Sequence, residues 1–500
     1  MRNYSAICCL LLSLKLFPIQ AQVTYFTTVF GNDTMNQKAV AIRQLPDGSI
    51  YTAGTAVSGI IGQADLTLSK MTANGEVVWT KYYGTPLNDQ CGYMIVSADG
   101  NIVMTGDTET SPGNTDGWLL KTDTAGNVIF AVTTPESDLT ESLSHVQQTS
   151  DAGYIALGFK TNTLSGGVGN NCYLVRFDQF GNVQWEQTYG GQHNDVGYMV
   201  RQTPDGGYVF TGDAQSFNET NNVDIWVVKT DAEGNPEWDL VIGDDWANGI
   251  KSIMVTEQND YFLTGETVID TTGLFDIVLA RVSVEGELEW YKTWGLSNST
   301  EAAFSALQTD EGNFMITGYS NRFRPGDPIH ILLLHADANG NEIGVNYFGG
   351  NSIDLGYDIQ PSVYGDFLLC GMSYMGGGGK YYVQYTGAPE ATFITENVAA
   401  VQFGLSLLPN YGINHSPLFV TLKTNQSCTV EVELYFVSGQ KLVASGNIQL
   451  PGAGNYLHNI YINPYTTLTS GLYLCTARFI LPDGQIFTDT QKYLITGSNH

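Results

Sequence analysis

The stretch that decides the fold is residues 205–239, DGGYVFTGDAQSFNETNNVDIWVVKTDAEGNPEWD. A DGG turn precedes a short β-prone run that contains Gly212, and a polar loop follows. Two further β-prone runs, DIWVVKT and PEWD, flank the turn DAEGN. Runs rich in Val, Ile, Tyr, Phe and Trp between Gly, Asn and Asp turns are typical of antiparallel strands. With one strand before DGG, this stretch predicts a unit of four short strands.

The same unit recurs seven times along the chain. Glycines at equivalent positions follow one another at intervals of 52 to 54 residues. They are Gly54, Gly106, Gly158, Gly212, Gly265, Gly318 and Gly371. Four strands in a period near 50 residues is the spacing of propeller blades. We therefore predict an all-β chain with a seven-bladed β-propeller built from ~53-residue, four-stranded repeats.

The two ends of the repeat region complement each other. The seventh repeat has only three predicted strands, whereas VTYFTTVFG at residues 23–31 matches fourth strands such as VQWEQTYG. An N-terminal strand that completes the last blade would close the ring and remove its exposed edges. The predicted domains are a signal peptide (1–21), the propeller (22–387), a linker (388–402) and a small Ig-like β-sandwich (403–500).

Charge and the N-terminal segment limit the function classes. Residues 1–21, MRNYSAICCLLLSLKLFPIQA, have the basic start, apolar stretch and terminal Ala21 of a secretory signal peptide. Without them the net charge is −31, all of it between residues 22 and 402. So acidic a chain is a poor candidate for binding nucleic acid or an anionic membrane. No later segment approaches 18 consecutive apolar residues, so no transmembrane segment is predicted.

The repeat region resembles bacterial secreted seven-bladed β-propellers, in which units like "GGYIxxGxT…DxWLxKxDxxGNxxW…YGG" recur. The resemblance spans roughly residues 22–387 and is specific for architecture. It implies little about activity, because propellers carry many functions.

The tail resembles the type A C-terminal sorting domain of the Bacteroidetes type IX secretion system. The matching stretches are VELYFVSGQKLV and LTSGLYLCTARFILPDGQIFTDTQKYLI. The positions that match the family's motifs are Gly439, Lys441, Gly471, Tyr473 and Lys492. Pro409-Asn410 lacks the family's following proline, and GSNH trails the last strand. The resemblance implies type IX machinery as a partner and a secreted or outer-surface location; an ordinary binding sandwich is the alternative.

The start of each repeat holds the most suggestive polar residues. Alignment places seven acidic or amide side chains where the first strand begins: Asn36, Asp89, Glu141, Asp195, Asn248, Glu301 and Asp354. Because the first strand is innermost in a propeller, they would encircle one mouth of the central channel. Such a ring could hold a cation or receive a cationic or hydroxyl-rich ligand. Alternatively, each side chain bonds backbone N–H groups at its own turn.

Other candidate sites have weaker support. Arg322, Phe323 and Arg324 form the cationic cluster among the variable loops between second and third strands, where a binding surface would evolve. The sequence HADANGN, with Asp337, resembles a calcium loop but lacks its later glutamate and aligns with a turn in other repeats. No cofactor is therefore predicted. The histidines, including His145, are interpreted as structural or surface residues. Cys428 and Cys475 could pair if neighbouring strands bring them together, but buried free thiols are favoured for the cysteines.

The sequence leaves three classes of function open, one of which is a purely structural spacer in a surface assembly. The absence of HExxH, GxSxG, Walker and dinucleotide motifs favours a non-enzymatic propeller that binds a glycan, matrix component or partner protein. The alternative is a secreted hydrolase or lyase acting on polysaccharide with channel carboxylates.

Overall fold

The computed structural model describes residues 26–495, with gaps within that range. The gaps are 33–34, 58–62, 136–138, 163–168, 218–221, 244–246, 269–272, 296–298, 322–327, 350–352, 376–377, 388–402, 408–417, 425–427, 437–440, 445–447, 451–453, 461–470 and 481–485. The described residues form strands and turns, and no helix occurs among them. It follows that none of them forms a helix able to cross a membrane.

Twenty-eight strands build the repeat region. In chain order they are β1 (Phe26–Phe30), β2 (Asn36–Gln44), β3 (Ile50–Val57), β4 (Ala64–Met71), β5 (Val77–Tyr83), β6 (Asp89–Val96), β7 (Ile102–Ser111), β8 (Asn114–Thr122), β9 (Val128–Thr133), β10 (Glu141–Gln148), β11 (Tyr154–Asn162), β12 (Gly169–Phe177), β13 (Val183–Tyr189), β14 (Asp195–Gln202), β15 (Tyr208–Ala214), β16 (Asp224–Thr230), β17 (Pro236–Ile242), β18 (Asn248–Val255), β19 (Tyr261–Val268), β20 (Phe275–Val282), β21 (Leu288–Trp294), β22 (Glu301–Gln308), β23 (Phe314–Ser320), β24 (His330–Ala336), β25 (Glu342–Phe348), β26 (Asp354–Pro361), β27 (Phe367–Met375) and β28 (Gly378–Thr386).

These strands form seven antiparallel sheets of four, which confirms the predicted repeat and is consistent with a β-propeller. Sheets one to six each contain four consecutive strands, from β2–β5 to β22–β25. The seventh has the order β1-β28-β27-β26, with Phe26 opposite Tyr385. The strand expected from residues 23–31 therefore takes the fourth place in the last sheet.

The core lies between the sheets. A buried apolar cluster joins every two consecutive sheets, and another joins the seventh sheet to the first through residues such as Ala39, Ile42, Leu368 and Cys370. The third strands are buried on both faces, whereas the fourth strands are largely exposed. Burial on both faces explains the continuous apolar runs of the middle strands.

The first strand of each sheet, called here the inner strand, contacts the inner strands of the two neighbouring sheets, and β26 contacts β2. Every inner strand carries a β-bulge opposite the periodic glycine of the second strand. At each of these glycines a Cβ would overlap a carbonyl oxygen of the inner strand, for example that of Val196 at Gly212. The close approach of two backbones is the physical reason for the glycine repeat.

The tail contains two antiparallel sheets. Its strands are β29 (Phe403–Leu407), β30 (Leu418–Thr424), β31 (Cys428–Phe436), β32 (Lys441–Ala444), β33 (Ile448–Leu450), β34 (Gly454–Ile460), β35 (Gly471–Ile480) and β36 (Ile486–Ile495). One sheet has the order β29-β30-β34; the other has the order β32-β31-β35-β36, with β33 also paired to β31. The Ig-like topology and the domain limits stay predictions.

Candidate functional site at the inner strands

Six of the seven predicted ring residues lie where the sequence places them, at the first position of an inner strand and buried. In each of these six cases the residue opposite is two positions beyond the periodic glycine, as Asp195 is opposite Ala214. We call these positions the strand-start set.

The first sheet departs from this pattern. Gln37, not Asn36, lies opposite the residue two beyond the glycine, because β2 begins one residue earlier than the other inner strands. A one-residue step moves a side chain to the other face of a strand, so Gln37 is buried and Asn36 is exposed. The Gln37 side-chain oxygen accepts a hydrogen bond from the Asn32 N–H (2.6 Å). Gln37 therefore takes the place in the strand-start set that alignment assigned to Asn36.

Two members of the strand-start set bond to their own sheet and to the loop that leads into it. Asp195 accepts hydrogen bonds from the backbone N–H groups of Gly191 (2.8 Å) and Gln215 (3.0 Å), and from the N–H and hydroxyl of Ser216. Asp89 accepts from the Thr85 N–H (2.6 Å) and from the Thr108 hydroxyl. These bonds fasten the loop before the inner strand to the end of the second strand.

Three further members use side-chain partners. Glu141 accepts from the Thr134 hydroxyl and pairs with Lys160 at 2.7 Å. The Asn248 side-chain oxygen accepts a hydrogen bond from the Thr267 hydroxyl (2.5 Å), and the Glu301 carboxylate accepts one from the Ser320 hydroxyl (2.7 Å). The seventh residue, Asp354, is buried opposite Ser373.

A second group of polar side chains lies just beyond the bulges, and here the sheets differ from one another. The buried carboxylate of Asp358 in β26 pairs with Arg43 of the first sheet at 2.7 Å. It also accepts hydrogen bonds from Tyr93 of the second sheet (3.3 Å) and Ser305 of the sixth (3.1 Å). The Ile42 N–H completes this side of the network at 3.0 Å. Asp358 thus bonds to groups from three other sheets, across up to 316 residues of chain.

The network continues into the third and fourth sheets. The Tyr93 ring packs on the His145 imidazole with ring centroids 4.4 Å apart. A guanidinium nitrogen of Arg201 lies 2.8 Å from His145 Nε2. Burial, together with Arg201 and Arg43, lowers the pKa of His145 well below its usual value, so the imidazole is neutral. We call Arg43, Tyr93, His145, Arg201, Ser305 and Asp358 the inner-strand cluster.

Position explains how these side chains meet. Tyr93, His145, Ser305 and Asp358 each directly follow the bulged residue of their inner strands. In the first sheet the same position is the small Ala41, which leaves room for Tyr93 to reach Asp358. Sequence reasoning missed this cluster and interpreted His145 as a structural or surface residue. In each inner strand, the position in question is two residues after the residue that lies opposite the periodic glycine. A comparison of the seven repeats at this position would have shown that its residue type changes from Ala to Tyr, His, Met, Ser and Asp.

The bulged residues form a third group in sheets four to seven. They are Tyr198, Lys251, Phe304 and Tyr357, and all are partly exposed. The Lys251 ammonium lies 4.0 Å from the Tyr198 ring centroid, and the Phe304 and Tyr357 centroids are 5.3 Å apart. We call these four residues the aromatic group.

Two carboxylates adjoin the aromatic group. Asp213 accepts a hydrogen bond from the Tyr198 hydroxyl (2.7 Å) and lies 3.7 Å from the Lys251 ammonium. Burial raises the pKa of Asp213. Burial also raises the pKa of Glu266, and the negative charge of Asp213 raises it further. The arrangement offers aromatic faces beside hydrogen-bonding carboxyl groups.

The remaining predicted sites fall into two classes. Arg322, Phe323, Arg324 and the motif residue Gly439 lie outside the described residues. Asp337 accepts hydrogen bonds from the N–H groups of Asn339 (2.9 Å) and Asn341 (2.8 Å), as expected for a turn. Within the described ranges, no group of three His, Cys, Asp or Glu side chains could hold a metal ion.

The tail residues are placed by backbone register. Lys441 opens β32, Gly471 opens β35, and Tyr473 and Lys492 lie within β35 and β36. Cys475 is opposite Leu434, six residues along β31 from Cys428. That separation is roughly 20 Å along a strand, too far for a disulfide. In the repeat region Cys91, Cys172 and Cys370 are buried free thiols, as the sequence favours.

No protein-family model and no curated protein sequence matches the chain. Among solved structures, the chain is similar to virginiamycin B lyase from Staphylococcus aureus (TM-score 0.45, 11% identity, 72% of this chain and 99% of that one). It is also similar to the β-propeller domain of the Trilobed protease from Pyrococcus furiosus (TM-score 0.42, 10% identity, 71% and 96%). For puromycin hydrolase the TM-score is 0.42 at 12% identity, with 78% of this chain and 59% of that one covered. Likenesses at this level carry no argument about activity or ligand.

Proposed function

We propose that this protein is an exported, closed seven-bladed β-propeller that binds a glycan at its inner strands without catalysing a reaction. One observation carries the proposal: partly exposed Tyr198 donates a hydrogen bond to the carboxyl group of Asp213, and the partly exposed rings of Phe304 and Tyr357 pack on each other on two further inner strands. Aromatic faces pack against the C–H faces of sugar rings, and carboxyl oxygens accept hydrogen bonds from their hydroxyls. Binding sites combine apolar surface with a few polar groups in this way.

The closed ring is supported by the contacts between its ends. β1 pairs with β28, and Phe26 packs on Gly75 of the first sheet as Trp79 packs on Gly126 of the second. Removing residues 22–31 should therefore lower the urea midpoint of the repeat region markedly. An unchanged midpoint would contradict closure.

The export route rests on the predicted signal peptide and on the tail's resemblance to type IX sorting domains. Removing residues 403–500 should leave the protein in the periplasm, whereas the full chain should reach the surface or the medium. A full chain found only in the periplasm would contradict the sorting assignment.

A glycan array of the purified chain, with and without calcium, tests the binding function. Phe304→Ala and Tyr357→Ala should each lose most of the signal. Tyr374→Ala is the matched control, because Tyr374 is an exposed tyrosine of the seventh sheet outside the aromatic group. Binding that survives both aromatic substitutions would refute this site.

A second function is favoured by the two adjacent carboxyl groups. Asp213 and Glu266 both have raised pKa values, and paired carboxyl groups hydrolyse glycosidic bonds. This alternative, a hydrolase or lyase acting on polysaccharide, predicts new reducing ends or unsaturated products from a bound polysaccharide. Their loss in Asp213→Asn and Glu266→Gln would establish it over simple binding.

A further inference from the structure

Arg201 differs from the other arginines that the structure describes. Arg43 pairs with Asp358 (2.7 Å) and Arg176 with Asp151 (2.5 Å). The remaining two also have carboxylate partners: Arg281 with Asp260, and Arg478 with Glu431 at 3.5 Å. Within the described ranges, no carboxylate forms an ion pair with Arg201.

The protein contacts of Arg201 leave its charge without an anion. One guanidinium nitrogen contacts His145 Nε2 at 2.8 Å and the Val200 carbonyl oxygen at 3.3 Å. The Tyr93 hydroxyl is a further partner, and none of these groups carries a negative charge. The surrounding groups desolvate the guanidinium, and burial lowers its pKa. A guanidinium partly removed from water is costly unless an anion pairs with it.

Asp358 attracts Arg201 across the cluster but forms no ion pair with it, because its oxygens already receive many donors. They accept from Arg43, the Ile42 N–H and Tyr93, and also from Ser305 and from Gln360 (3.1 Å). The inner-strand cluster thus contains two guanidinium groups and one carboxylate. Its local charge is positive on a chain whose net charge is −29.

His145 provides a second, independent observation. Its imidazole is buried, and Nε2 faces a guanidinium, which can only donate. Nε2 is therefore the acceptor of the neutral ring, and Nδ1 carries the proton. Nδ1 is buried with no hydrogen-bond partner. A buried donor without an acceptor is unfavourable, so the cluster lacks an acceptor as well as a negative charge.

From these two observations we infer that Arg201, with Arg43 and His145, forms a binding site for an oxyanion: the carboxylate, sulfate or phosphate group of a ligand. A guanidinium matches the planar arrangement of oxyanion acceptors and binds two oxygens at once. The oxyanion neutralises Arg201 and brings acceptor oxygens to the donor-rich side of the cluster.

The oxyanion site specifies the class of glycan that the protein binds, and this part of the inference rests on the proposed glycan-binding function. Tyr198 of the aromatic group and Arg201 lie three residues apart on β14, roughly 10 Å, and both are partly exposed. Two adjacent sugar rings of a glycan span the roughly 10 Å between Tyr198 and Arg201. The structure therefore assigns the protein an acidic glycan, carrying uronate or sulfate groups, over a neutral one.

Titration calorimetry of the full mature chain tests the inference with four probes: sodium sulfate, sodium phosphate, glucuronate and glucose. Sulfate or glucuronate should bind at low ionic strength and weaken as salt is added. Arg201→Gln should lower that affinity at least about tenfold, the effect of one charge-assisted contact. Lys292→Gln, which removes one positive charge from the fourth strand of the fifth sheet, should leave that affinity within about twofold of the wild type.

A spectroscopic measurement separates a binding role from a structural one. The ¹⁵N resonances of the His145 imidazole should shift when sulfate is added to the wild type and stay constant in Arg201→Gln. Folding of the variant is verified by its unchanged circular dichroism. Oxyanion binding that is equal in wild type and Arg201→Gln, or no oxyanion binding in the wild type, would overturn the inference.

The four probes also distinguish its failure from that of the proposed function. Binding of glucose and glucuronate with equal affinity would leave the glycan function intact and refute the oxyanion site. Sulfate binding abolished by Arg201→Gln, with an empty glycan array, would keep the site and refute the glycan. Phosphate or sulfate binding without glucuronate binding would identify a free anion as the ligand.

Discussion

The strand-start set and the inner-strand cluster lie a few residues apart on the same seven strands, yet their chemistry differs. Strand-start residues are Asp, Glu, Asn or Gln in every sheet, and the bonds of Asp195 and Asp89 stay within their own sheet and the loop that leads into it. Residues beyond the bulge change from sheet to sheet, and Asp358 bonds to three sheets other than its own.

This difference separates architecture from recognition. A requirement that every sheet shares must be met seven times by similar residues, whereas a ligand needs one asymmetric arrangement. The acidic ring, which sequence analysis singled out, has the contacts of the first kind. The inner-strand cluster and aromatic group have those of the second.

The largest effect is expected from breaking the cluster at its centre. Asp358→Ala leaves Arg43 without its partner and removes an acceptor from Tyr93 and Ser305. Loss of one partner of a buried ion pair costs about 3–5 kcal/mol of unfolding free energy. Urea denaturation measures it. The double variant Arg43→Met/Asp358→Leu should recover more than half of the lost unfolding free energy. A loss below about 1 kcal/mol in Asp358→Ala alone would contradict the role of Asp358.

The glycine repeat should give the next largest effect. In Gly265→Ala the new Cβ meets the Gly249 carbonyl oxygen, so the paired backbones must separate. Overpacking of this kind costs about 1–3 kcal/mol. The control is Gly249→Ala in the paired strand, where the nearest atoms to a Cβ are 3.5–3.6 Å away. Equal effects of the two substitutions on the urea midpoint would refute the close-approach explanation.

A smaller effect should appear in the pH dependence of stability. Burial raises the pKa of Asp107 to about 6 despite a hydrogen bond from Ser142. Between pH 4 and 6 the native state therefore binds more protons than the unfolded state, and stability falls as pH rises. Asp107→Asn should remove that fall and raise stability at pH 7 by up to about 2 kcal/mol.

Denaturation series at pH 4, 5, 6 and 7 would measure the Asp107 effect. Asp47→Asn serves as the control of opposite sign, since hydrogen bonds from Ser49 lower the pKa of Asp47. Its contribution is present above the ordinary carboxyl pKa and is lost as pH falls. A wild-type pH profile unchanged by Asp107→Asn would argue against a buried, protonated Asp107.

The smallest effect is expected from removing calcium. The Asp337 carboxylate accepts hydrogen bonds from its own turn. A chelator should therefore shift the melting temperature of the protein by less than about 1 °C. Loss of a bound ion would instead lower the melting temperature in proportion to the occupancy of its site. A larger fall in the melting temperature that calcium reverses and magnesium does not would support a calcium site at Asp337.

Much of the architecture could be predicted from the sequence because it depends on local chemistry that recurs. The glycine spacing, the turns at strand ends and the β-prone runs together predicted the seven four-stranded sheets. The match between residues 23–31 and other fourth strands also predicted the β1–β28 pairing. The place of Gln37 could not be predicted, since it depends on where β2 begins relative to its bulge.

The inner-strand cluster was decided by tertiary structure alone. Its members are spread from residue 43 to residue 358, and no motif spacing joins them. They meet because seven inner strands lie side by side, and because Ala41 is small enough for Tyr93 to reach past it. A sequence repeat determines the repeated sheets, because each sheet depends on local residues. Side chains from different repeats form a site only after packing has brought those repeats together.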